Sequence, residues 1–114
     1  MAANPATTQA VVTSVLAGWT RAFDDPDEAV DVCVAVRPDL SRAHHERQLA
    51  AIRALALTGA TLVEGLGFPD PRHGADALAA LNEVEGHAPA IDAAALVDRS
   101  FWDTAPAAVR RNRW

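Results

Sequence analysis

At three points in this 114-residue sequence a short side-chain acceptor stands directly before a proline: Asn4-Pro5, Asp25-Pro26 and Asp70-Pro71. Each pair is a helix start. The Asn or Asp oxygen can take up an orphan N–H of the first turn, and proline suits the first helical position because its missing N–H would have no partner there. After Asn4 the apolar residues Val12, Val15, Leu16, Trp19 and Phe23 recur at three-and-four spacing, which predicts one helix from Pro5 to about Phe23. Asp25 opens a second at once, with Glu28 placed to reach back as in a capping box. This helix runs through Val30, Val32, Cys33, Val34 and Val36 until Arg37-Pro38 stops it. Its β-branched residues make a strand the rival reading, and the capping signature decides for helix. Apolar nearly all round, it is expected to lie sandwiched between neighbours.

Ser41 begins a third helix, with Leu49, Ile52, Leu55 and Ala56 inward and Arg42, Glu46, Arg47 and Arg53 mostly outside, until Gly59 ends it. Thr61 to Pro71 has no helical period and reads as a structured loop or a short extended piece, with Gly65, Gly67, Pro69 and Pro71. A fourth helix follows to about Glu85, carrying Leu78, Leu81 and Val84, and Gly86 with Pro89 closes it. A short helical turn is expected around Asp92 to Val97, after which Phe101 and Trp102 lead into a tail. The expected fold is therefore all-α, about four helices with one Gly/Pro-rich loop, as a single unit over residues 1–103 and a tail over 104–114.

An apolar content of 50% is ample for a core. The net charge of −5, with acidic and basic residues interspersed, argues against nucleic acid, which needs clustered cations. Arg110, Arg111 and Arg113 do gather near the end, where a solvated, frayed run is the simpler reading than a binding patch. Cys33 is the single cysteine, so an internal disulfide and a multi-thiolate metal site are excluded. No stretch approaches the roughly 20 apolar residues of a membrane span, and no basic segment followed by an apolar core opens the chain, so as written it is expected to stay in the cytoplasm.

Candidate chemistry is sparse. His44 and His45 are adjacent, so their side chains diverge by about 100° on a helix, and a chelating pair would want i, i+4 spacing. With His73 and His87 they read as solvated surface residues, and no metal or other cofactor is expected. Between Val32 and Val34, Cys33 reads as a core cysteine and not as an activated nucleophile. Asp24, Asp25, Asp27, Glu28 and Asp31 lack the alternating ligands and central glycine of a calcium loop, and helix capping accounts for them. Trp19, Phe23 and Phe101 read as core fillers, while Trp102 and Trp114 stay unassigned. Gly65-Leu66-Gly67-Phe68-Pro69-Asp70-Pro71 is the most unusual segment. It lacks the third glycine or the Lys-Ser/Thr of a nucleotide loop, and it is either a tight connection between helices or a ligand contact through Gly65, Gly67 and Phe68.

Four pieces in order carry a family resemblance: Ala17-Gly18-Trp19 followed by Asp25-Pro26-Asp27-Glu28-Ala29-Val30; Arg37-Pro38-Asp39-Leu40; Gly65 to Pro71; and Leu96-Val97-Asp98-Arg99-Ser100-Phe101. Together they resemble the C-terminal region of ABC-transporter solute-binding proteins of the nitrate, alkanesulfonate and thiamine-precursor type. Phe68 and Pro69 stand where that family more commonly has Trp and Met. The resemblance implies the helical C-terminal part of a type II periplasmic-binding-protein fold, an extracytoplasmic clamshell whose α/β lobes would lie before Met1. A related branch makes a pyrimidine precursor with an active-site histidine and a cysteine-rich motif; with one cysteine here, that activity is not carried over.

Two functions are therefore expected. In the first the chain is a partial solute-binding protein, with little ligand binding of its own and a small-molecule ligand only in the full-length context. In the second it is a free-standing helical interaction module that pairs with itself or a partner through surface left bare. An enzyme is not expected, since no nucleophile and base can be paired from these residues.

Overall fold

The computed structural model describes residues 3–86 and 92–110. Its helices are α1 (Pro5–Asp24), α2 (Pro26–Val36), α3 (Arg42–Ala56), α4 (Ala60–Glu64), α5 (Pro71–Glu85), α6 (Ser100–Thr104) and α7 (Ala107–Arg110), with a 3-10 turn at Ala93–Ala95 between α5 and α6 in the chain. Among the described residues there is no strand, so the fold is all-α with four long helices, and the strand reading of α2 falls.

The three Asx-Pro pairs all start helices. The side chains of Asn4, Asp25 and Asp70 accept from the backbone N–H of Thr7, Glu28 and Arg72, and Ser41 does the same for His44 at the head of α3. The capping box at α2 is only half made. Glu28 turns instead to Arg21, which grips it with two hydrogen bonds across the α1–α2 corner, while the Asp25 N–H goes to the Arg21 carbonyl. Gly86 closes α5 in the left-handed conformation that glycine alone adopts cheaply.

The core is built from α1, the Gly65–Asp70 connection and the last two helices: Leu16, Phe23, Leu66, Trp102 and Ala105, flanked by Leu49, Ile52 and Leu57 from the α3 side. This overturns the tail boundary at residue 104. Ala105 is buried, Val109 packs on the cluster, and the Val109 carbonyl accepts from the buried Thr20 hydroxyl at 2.9 Å. Gln9 on α1 donates to the Phe101 carbonyl at 2.9 Å, so α6 and α7 lie along α1 and shield it. Residues 111–114, including Trp114, Arg111 and Arg113, lie outside the described residues, as do His87 and Pro89.

Several expectations about burial are corrected. Helix α2 is not sandwiched: it packs on α1 and α3 by the side that carries Val30, the one buried residue of the helix, and its opposite side is open, with Val36 71% exposed and Cys33 also exposed. The reason is that both its neighbours approach from one flank, so apolar residues on the far flank have nothing to meet. On α3, Leu55 points outward at 80% exposure, because the helix turns Leu49, Ile52 and Ala56 to the core and Leu55 falls off that stripe. On α5, Leu78 is half-buried but Leu81 and Val84 are exposed, since that helix packs chiefly on the short 3-10 turn. Trp19 stays partly exposed, tilted against Phe23 at 5.7 Å. The stretch expected to be loop from Thr61 begins with α4, whose first turn is set by Thr61: its hydroxyl donates to the Ala56 carbonyl and accepts the Thr58 N–H.

Candidate functional site

Gly65, Gly67 and Phe68 are held by the chain's own last helices. Gly65 has φ +134° and Gly67 φ +70°, backbone regions that favour glycine. The turn they make aims two Leu66 groups at the C-terminal segment: the Leu66 N–H donates to the Arg110 carbonyl at 2.7 Å, and the Leu66 carbonyl accepts from the Trp102 indole Nε1 at 2.9 Å. A side chain at Gly65 would strike the Arg110 carbonyl oxygen, and one at Gly67 would meet Leu16. Phe68 stands edge-on to Trp102 with ring centroids 5.2 Å apart, and the Arg99 guanidinium lies 4.9 Å from the Phe68 ring. Arg110 covers Trp102 at 4.6 Å and donates from Nε to the Ala105 carbonyl, so this arginine is part of the packing and not of a frayed end.

The aspartate that follows is drawn into the same corner. Asp70 is buried, caps α5, and accepts from the Arg72 guanidinium; these hydrogen bonds, first from the Arg72 side chain and then from its backbone N–H, hold the Asp70 carboxyl down at about 2. Its geometry is that of a structural cap.

The other candidates scatter. His44 is exposed, whereas His45 is buried with Nε2 3.4 Å from the Arg37 carbonyl, a correction to its reading as a surface residue; it fills the turn between α2 and α3. The acidic cluster is divided among arginines. Asp25 caps α2, Glu28 pairs with Arg21, and Asp27 and Asp31 face Arg42, which also holds Glu46. Among the described residues no group of three or more His, Cys, Asp or Glu side chains is placed to hold a metal ion.

What the fold does create is an open trough of about 520 Å³ between the end of α1, α2 and α3. Phe23, Val30, Leu49 and Leu57 give it an apolar floor, Ala22, Ala50 and Ala54 widen it, and Asp27, Glu46 and Arg53 stand on its rim. Its volume is in the range of ligand pockets, but no polar groups converge on the floor to orient a small molecule. A second hollow of about 430 Å³ lies on the outer side of the α1–α2 corner, lined by Gly18, Arg21, Ala22, Glu28, Ala29 and Val32. Neither hollow is lined by Gly65, Gly67 or Phe68. Small residues line both hollows, Ala22, Ala50 and Ala54 in the first and Gly18, Ala22 and Ala29 in the second, and their short side chains leave the gaps unfilled.

No helix among the described residues is long and apolar enough to cross a membrane. No family model, no curated protein and no solved structure matches the chain, and the likeness to solute-binding proteins rests on its four motifs alone.

Proposed function

We propose that this chain is a helical association module without catalytic chemistry of its own, which covers its apolar helix faces with a polypeptide partner. The observation that carries this reading is the amount of surface left bare. The accessible surface is 7648 Å², whereas a compact monomer of this mass exposes about 6,000 Å². The radius of gyration is 16.8 Å, against about 13 Å for a compact chain of this length. The excess is apolar in places where a lone molecule gains nothing from it: Val32 and Val36 on α2, Leu55 on α3, Leu62 and Val63 on α4, Leu81 and Val84 on α5. Sedimentation velocity over a concentration series tests the reading. Reversible association is expected, and a single monomeric boundary throughout, with no bound polypeptide carried through purification, would overturn it.

A second reading keeps the helices as part of a solute-binding protein of the nitrate, alkanesulfonate or thiamine-precursor type. It is favoured by the two Asp-Pro helix starts standing at the motif positions, and in it the bare faces would buttress the α/β lobes of such a protein. The inward docking of Gly65, Gly67 and Phe68 leaves the 114-residue chain little with which to grip a solute. Isothermal titration with nitrate, alkanesulfonates and pyrimidines is expected to give no heat of binding.

A further inference from the structure

Val109 and Arg110 bring the chain beside the trough between α1, α2 and α3. The Val109 carbonyl is pinned to the Thr20 hydroxyl, and Phe23, on the trough floor, stands three residues further along α1. That is about 4.5 Å of helix rise. Leu57 joins the two places, because it lines the trough and also packs, like Val109, on the core cluster. The next four residues of the sequence are Arg111, Asn112, Arg113 and Trp114. Four residues span at most about 13–14 Å, enough to pass Leu57 and come over Phe23 and Ala54.

We infer that this segment is the occupant of the trough, with the Trp114 ring laid on Phe23, Ala54 and Leu57 and the Arg111 and Arg113 guanidinium groups turned to the acidic rim. The trough's own chemistry selects it. A floor on which no polar groups converge accepts an apolar ring, and the short side chains of Ala22, Ala50 and Ala54 leave a bed wide enough for an indole. The rim supplies the complementary charge. Asp27 and Glu46 stand on it, and together with Asp31 they share the single guanidinium of Arg42. Three carboxylates on one arginine leave two negative charges at that corner, and Arg111 and Arg113 bring two positive ones. Arg53, also on the rim, is a cation suited to an aromatic face. The hollow on the outer side of the α1–α2 corner makes no such offer, since its two charged residues, Arg21 and Glu28, are paired with each other.

Tethering decides between this segment and one from elsewhere. A short flexible link holds an attached group at a millimolar effective concentration, which a free polypeptide does not reach in dilute solution. The consequence is a trough closed from within, so that any apolar ligand entering it has to displace Trp114. The inference does not rest on the association reading, whose bare faces on α2, α4 and α5 take no part in it.

Fluorine NMR of the full chain labelled with 5-fluorotryptophan tests this. The chain has three tryptophans, Trp19, Trp102 and Trp114, and the Trp114 signal is assigned by its loss in Trp114→Phe. Ala50→Lys and Ala54→Lys each fill the bed with a long cationic side chain at an exposed position, and an unmoved Trp102 signal shows that the core is intact. In the wild type the Trp114 signal is expected away from the position of free 5-fluorotryptophan, unchanged on dilution, and in both variants it should return towards that position. A wild-type signal already at the free position overturns the inference. A displaced signal that neither variant moves places Trp114 elsewhere and overturns it as well. A displacement that is lost on dilution assigns the trough to the segment of a second copy, and the closure from within is then refuted while the association reading stands.

Discussion

A Cβ built on Gly65 would run into the Arg110 carbonyl, whereas one built on Gly18 meets nothing. The two glycines therefore respond oppositely to the same substitution. Gly65→Ala forces a left-handed backbone and displaces the strap that Leu66 makes with Arg110, so a loss of about 2–4 kcal/mol of unfolding free energy is expected. Gly18→Ala relieves an entropic penalty and is expected to add about 0.5–1 kcal/mol when measured by urea unfolding in dilute, monomeric solution. Asp70 gives a pH dependence. Its carboxyl is held at about 2, below the ordinary 3.8, so the charged form is the one the fold favours. That contribution is complete above pH 4, declines as the pH falls towards 2, and is gone below it. Asp70→Asn, which cannot make the charge-assisted grip on Arg72, is accordingly expected to melt lower than wild type at neutral pH. The gap should close between pH 4 and 2, and thermal melts across that window check it.

Among the elements, the helix starts were legible because their causes are local. Asn4, Asp25, Ser41 and Asp70 each bond to an N–H within three residues, and no distant part of the chain has a say. Faces were less legible. Periodicity shows that α2 is apolar on both sides, but only the packing of α1 and α3 decides which side is covered, and Cys33 and His45 were misread for that reason. The terminal helices escaped altogether. Short segments such as Ser100–Thr104 and Ala107–Arg110 have too few residues to display a period, and their order comes from Trp102 and Val109, whose partners Leu66 and Thr20 are remote in sequence. The surroundings of Gly65, Gly67 and Phe68 were hidden for the same reason, because Arg99, Trp102 and Arg110, which pack on them, lie outside any local window. Trp102 is where this weakness can be probed. Trp102→Ala removes a buried ring, its bond to Leu66 and the support of Phe68 and Arg110, and a loss of about 3–5 kcal/mol is expected in denaturant titration.

For the molecule as a whole, the proposed association predicts that cohesion is shared between what lies inside one chain and what lies between it and its partner. Under that reading the melting temperature should rise with protein concentration, and a melt that is the same at all concentrations would count against it. The clasp between the two ends of the described chain has another consequence, this one for biosynthesis. Thr20 and Gln9 wait for partners 89 and 92 residues further on. A nascent chain emerging from the ribosome can wind its first four helices as they appear, but it has no lid for Leu16 until residue 110 is outside the exit tunnel. Up to that moment the greasy flank of its longest helix is on offer to chaperones, and the packing around Leu16 waits for residues 101–110 to be made, however early α1 itself has formed.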